Sequence, residues 1–192
     1  MKLFLVRHGE SNGNLGNCYH GQTNVKLTER GREQARQIRP ILAQIPFDKV
    51  YSSDLSRAAD TCTEALPDMP FERLSLLREI DVGSIAGKEY GSVDIPVPDD
   101  ESMRPDFTPF GGENLHIVRR RARKFLDMLE QEDYAYVAAF SHHGFVNCVL
   151  REVLQVHYPD AAVITHNCAV HVLEYNGAMW RIAALNYMKP VT

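Results

Sequence analysis

Leu3-Phe4-Leu5-Val6-Arg7-His8-Gly9-Glu10-Ser11 is the stretch on which the reading of this chain turns. Four consecutive apolar residues predict a strand buried on both faces. Such a strand carries Arg7 and His8 to its carboxyl end, where open α/β sheets place their ligands. An imidazole beside a guanidinium there reads as a nucleophile awaiting an anion. Arginine recognises phosphate with a planar fork, and a histidine nitrogen can attack phosphorus. An Arg-His pair after a strand is also a frequent accident, so its weight depends on what the other strands deliver.

Beyond it, residues 9–17 are polar and glycine-rich and predict a loop, with Ser11 and Asn14 as hydrogen-bonding groups. Gly21 lets the backbone approach a ligand closely. Thr28 is an N-cap for a helix whose stripe is Ala35, Ile38, Leu42 and Ile45. Pro40 inside that stripe is expected to kink or shorten the helix. Residues 48–52 predict a second strand, followed at once by Ser53-Asp54-Leu55-Ser56-Arg57. Ser53 or Asp54 would cap a helix running to about Leu66. Arg57 then sits in the first turn, where the helix dipole disfavours a cation and a bound anion would resolve the mismatch.

Residues 74–77 predict a further strand, leading into Arg78-Glu79-Ile80-Asp81. Residues 88–112 are proline-rich and aperiodic, the texture of a cap or lid. Leu115, Val118, Ala122, Phe125 and Leu129 mark an amphipathic helix. Its run Arg119-Arg120-Arg121 with Arg123-Lys124 reads as a solvated face rather than a nucleic-acid surface. Residues 136–140 form a continuous apolar run ending in Ser141-His142-His143-Gly144, and residues 145–156 read as a helix. Two strand-like runs, 169–175 and 179–185, flank Asn176-Gly177, a hairpin signal. Strands alternating with helices predict an α/β fold, a three-layer α/β/α sandwich with a mostly parallel central sheet.

The 192 residues suit one domain, 1–192, with 88–112 as a small cap insertion. A net charge of −4 argues against a nucleic-acid partner, so an anionic substrate needs a local cationic pocket. Cys18, Cys62, Cys148 and Cys168 are scattered without a C-x-x-C pair, which points to reduced thiols and the cytoplasm. The first apolar run is too short for a signal peptide or a membrane span. His142, His143, His166, Cys168 and His171 fit no tight zinc spacing, and no metal or other cofactor is expected.

Three apolar runs end in Arg7-His8, in Ser53 to Arg57 and in His142, and a fourth leads into Glu79. A parallel sheet would bring these endings to one edge. The set is a kit for phosphoryl transfer through histidine. One imidazole attacks phosphorus, two guanidiniums and the second imidazole hold the equatorial oxygens, and a carboxylic acid protonates the leaving oxygen.

The same residues resemble the histidine phosphatase superfamily, also called phosphoglycerate mutase-like. Arg7-His8-Gly9-Glu10-Ser11 with Asn14, Leu27-Thr28-Glu29-Arg30-Gly31, Ser52-Ser53-Asp54-Leu55-Ser56-Arg57, Leu77-Arg78-Glu79-Ile80, Gly111-Gly112-Glu113-Asn114 and Ser141-His142 are similar, in order, to its sequence blocks. The resemblance implies that His8 is the nucleophile and that Arg7, Arg57 and His142 clamp the phosphoryl group. Glu79 would be general acid and then base. Ser11, Asn14, Gly21 and His143 would form the substrate-binding rim. His143 departs from a frequent glycine, His20 from glutamine, Asn114 from serine, and Asn24-Val25-Lys26 from aspartate-x-proline.

The implied activity is metal-independent hydrolysis of a small phosphorylated metabolite through phosphohistidine, by a monomer or homodimer. A cofactor-dependent phosphoglycerate mutase and a non-catalytic phosphate-binding module are the alternatives. The stretch 189–192 is a short tail beyond the last predicted strand, and this favours hydrolysis over mutase chemistry.

Overall fold

The computed structural model describes residues 1–100, 103–156 and 163–188. The tail 189–192 and part of the cap segment lie outside them. Six strands form one mixed sheet in the order β3-β2-β4-β1-β5-β6. They are β1 (Lys2–Arg7), β2 (Lys49–Ser52), β3 (Glu72–Arg73), β4 (Tyr136–Ser141), β5 (Val170–Tyr175) and β6 (Trp180–Met188). β3, β2, β4 and β1 run parallel, and β5 and β6 close the other side as an antiparallel hairpin. The hairpin loop works as its sequence predicts. Gly177 takes a positive φ, and the Asn176 side chain accepts from the amides of Ala178 and Met179.

Strand β1 lies between β4 and β5. Its alternating side chains serve both faces. Leu3 and Leu5 pack with α4 (Leu115–Glu130) and α5 (His143–Leu154). Phe4 and Val6 pack against α2 (Glu29–Leu42) and α3 (Ser56–Ala65). The result is helices on both faces of the sheet, the predicted sandwich.

Local departures have local causes. Residues 9–17 contain a one-turn helix, α1 (Asn12–Leu15), because Ser11 and Asn14 form a capping box around its first amides. Helix α2 continues two residues past Pro40 instead of breaking, since the proline lies in its last turn. Asn24, not Ser53 or Asp54, accepts from the first amide of α3, while Asp54 pairs with Arg78. Residues 74–77 are not a strand: β3 ends at Arg73 where its partner β2 ends at Ser52, and Ser75–Leu77 turn as a 3-10 helix that buries Leu77.

Gly9 and Gly31 lie backbone against backbone. A Cβ on Gly9 would meet the Gly31 carbonyl, and one on Gly31 the Glu10 carbonyl. The loop that carries His8 is thereby pressed onto α2, and the Gly9 amide donates to Thr61 Oγ1 on α3 at 3.0 Å.

On β5, His171 is fully buried, and its Nε2 has no partner among the described residues. Burial lowers its pKa to about 4. His171 is therefore neutral when folded and takes up a proton near the ordinary histidine value when unfolded. Stability is present above that value and drains away as pH falls toward about 4, by about 1.4 kcal/mol per pH unit for one such group. His8 and His142 are lowered in the same direction. Thermal melts between pH 7 and pH 4 should show this decline, and His171→Leu should make it shallower without abolishing it.

Candidate active site

The carboxyl ends of β1, β2 and β4 meet beside the Glu79 loop, at a cleft of about 340 Å³. Arg7, His8, Ser11, Asn14, Gly21, Arg57, Glu79 and His143 all reach its wall, so the predicted residues converge with one exception. His142 is fully buried behind that wall. The segment 88–112 supplies Tyr90, Pro105 and Phe107 to the opposite side. Tyr19 packs edge-on against Tyr90 at 4.6 Å and against Phe107 at 5.9 Å.

His8 is 4% exposed, and its Nδ1 lies 2.6 Å from the Gly9 carbonyl. A carbonyl oxygen only accepts, so Nδ1 carries the proton and Nε2 keeps its lone pair. Burial, then the charges of Arg57 and Arg7, hold the ring well below the ordinary histidine pKa. The imidazole is thus neutral, in one defined tautomer.

Arg57 is buried in the first turn of α3, as expected. Its guanidinium donates to the carbonyls of Thr23 at 2.9 Å and Gly21 at 2.8 Å, and from Nε to His142 Nδ1 at 3.1 Å. Arginine only donates, so His142 Nδ1 accepts, and the other ring nitrogen carries the proton and donates to Ser53 Oγ at 2.8 Å. Both nitrogens of His142 are therefore engaged within the protein, one with Arg57 and the other with Ser53.

Arg7 donates to the Thr165 carbonyl at 2.5 Å, and its Nε is buried with no partner among the described residues. Burial lowers the pKa of both arginines, and for both the Glu79 carboxylate is the leading opposing charge. Two buried cations facing one carboxylate leave an excess of positive charge that suits an anion.

Glu79 accepts from the Gly144 amide at 3.0 Å and from the Ile80 amide at 2.9 Å. The first of these amides opens α5. A Cβ on Gly144 would collide with the Glu79 carboxylate, so glycine is what lets the acid sit there.

Several working residues escape the sequence reading. Arg121 is not on a solvated face. It donates to the carbonyls of Leu76 at 2.7 Å, Arg78 at 2.9 Å and Glu79 at 3.2 Å, and it pairs with Glu113 at 2.7 Å. Glu113 also accepts from the Asp81 amide at 3.0 Å, so the pair fixes the whole Glu79 loop. The only hint was spacing: Glu113 and Arg121 stand two helical turns apart, but Arg121 is hidden in a run of cations. Thr165 and Ser53 likewise hold site residues without any signal of their own.

Comparison with known proteins bears on the family of the chain. The histidine phosphatase superfamily (branch 1) model matches residues 3–188. An adenosylcobalamin/alpha-ribazole phosphatase of Salmonella typhimurium is 31% identical over 163 residues, 80% of this chain and 80% of the relative. A 2,3-bisphosphoglycerate-dependent phosphoglycerate mutase of Azorhizobium caulinodans is 36% identical over 120 residues, 62% of this chain and 54% of that one. A mycobacterial glucosyl-3-phosphoglycerate phosphatase solved with VO3 superposes with a TM-score of 0.82 at 26% identity, over 96% of this chain and 98% of that one. With that match running almost from end to end, the chain belongs to the histidine phosphatase superfamily.

Proposed function

We propose that this protein hydrolyses small-molecule phosphomonoesters through a phosphohistidine on His8. The observation that carries the reading is the 2.6 Å bond from His8 Nδ1 to the Gly9 carbonyl, which leaves a neutral ring with its Nε2 lone pair free. Nε2 attacks phosphorus as the P–O ester bond breaks. Glu79, in its protonated form, gives its proton to the departing alkoxide. A water then attacks the phosphohistidine, Glu79 takes one of its protons, and the P–N bond breaks to release phosphate and free His8. Arg7 and Arg57 offset the charge spread over the equatorial oxygens in the loose transition state. His142 holds Arg57 in place. Ser11, Asn14, Gly21 and His143 form the rim.

Residues 88–112 act as the cap over this cleft, and Tyr90, Pro105 and Phe107 at its wall support that role. The four cysteines are unpaired, which supports a reducing compartment such as the cytoplasm. Relatives of both kinds, phosphatase and mutase, favour a phosphate ester as substrate.

Incubation with an aryl phosphate in excess chelator should give turnover. Quenching in alkali should trap an acid-labile phosphoryl adduct. His8→Ala should lose the adduct and at least about 10⁴-fold in kcat. Loss of wild-type turnover in chelator, or a fully active His8→Ala protein, would sink the mechanism. Rapid isomerisation of 3-phosphoglycerate with its bisphosphate, in place of phosphate release, would identify a mutase instead.

Gly144→Ala tests the seat of the acid. Displacing the Glu79 carboxylate by the width of a methyl group should lower kcat by about 10²-fold while KM changes little. Circular dichroism and melting should stay close to wild type, and an unchanged kcat would show that Glu79 is not held by this amide.

A further inference from the structure

We propose that the ester's leaving group is an apolar alcohol, lodged in a second chamber that opens from the cleft across Glu79. The inference rests on the phosphatase reading and specifies its substrate class. The chamber has a volume of about 460 Å³. Glu79, Ile80, Pro105 and His143 line it and the catalytic cleft alike, so the two spaces share a threshold. The acid that protonates the leaving oxygen must touch that oxygen, so whatever the oxygen carries departs past Glu79. The carboxylate sits against the Gly144 amide, and Gly144 lines the chamber.

Beyond the threshold the walls are Leu115 and Val118 of α4 together with Val163 and Ile164. The polar residues there are already occupied. Asn147 accepts from the Val163 amide at 3.2 Å and donates to the His143 carbonyl at 3.0 Å. Arg151 is 7% exposed and engaged within the protein. A sugar or polyol would enter with hydroxyl groups left unpaired, a penalty that an alkyl or aryl group does not meet.

His143 fixes the width of the opening. Its Nδ1 lies 2.6 Å from Thr165 Oγ1 and its Nε2 lies 3.4 Å from the Asn147 amide nitrogen. An amide nitrogen only donates, so Nδ1 carries the proton and the ring is held from both sides.

The test is a homologous series of ethyl, butyl and hexyl phosphate with glycerol phosphate as the polar control. The kcat/KM of the wild type should rise by about fourfold for each methylene buried. Val118→Phe fills the chamber floor, and Ile164→Asp places a charge at a position that is 74% exposed and tolerant of change. Each variant should flatten the series, lowering the hexyl-to-glycerol ratio at least tenfold. A flat wild-type series, a preference for glycerol phosphate, or a rising series that neither variant alters overturns the chamber. Calorimetric binding of the same esters to His8→Ala separates this inference from the catalytic one. If no ester is hydrolysed but affinity climbs along the series, the phosphatase reading falls and the chamber stands. If affinity is flat, the chamber falls whatever the turnover.

Discussion

The site depends on keeping two guanidiniums away from water without neutralising them. Arg7 and Arg57 are anchored mainly by neutral groups: the carbonyls of Thr165, Thr23 and Gly21, and one imidazole. Carbonyl oxygens satisfy N–H groups without cancelling their charge. A ring of carboxylates in their place would have stabilised the arginines more strongly and spoiled the site for a phosphoryl group. The same uncancelled field, added to burial, keeps His8 uncharged. One arrangement thus serves both the proposed receiver of the anion and the proposed nucleophile.

The rest of the molecule serves this arrangement through short backbone contacts. Strand ends of a parallel sheet bring residues from distant parts of the sequence to one edge, but only to within side-chain reach. Finer placement comes from glycines and from carbonyl-gathering arginines. Gly9 against Gly31 seats the His8 loop, Gly144 makes room for Glu79, and Arg121 with Glu113 ties the Glu79 loop to α4. Replacing any of these by a residue of similar polarity would leave the catalytic groups present and misplaced.

Much of this was legible in the sequence because strand periodicity and chain order are local signals. The apolar run 3–6, the run 136–140 and the Asn176-Gly177 turn each carry their meaning in a few residues. What stayed hidden depends on partners far along the chain. The extent of β3 is set by where β2 ends, not by the apolar content of residues 74–77. The duty of Arg121 depends on which helical face meets the Glu79 loop, a phase that four neighbouring cations obscure. The tautomer of His142 follows from Arg57 eighty-five positions away. The sequence marks His142 as a site residue, and only its surroundings reveal that it is bonded to Arg57 and Ser53.

The placement of β1 also bears on how the molecule comes into being. Strand β1 is bordered by β4 and β5, which lie far along the chain from it, and Arg7 reaches its anchor at Thr165 across 158 positions. The parallel β1–β4 pairing has no short loop to nucleate it, and contacts of such long range form slowly. An incomplete chain therefore carries His8 with neither its strand neighbours nor the buried charges that tune it. Competence arrives late and all at once, when the sheet closes around its earliest strand.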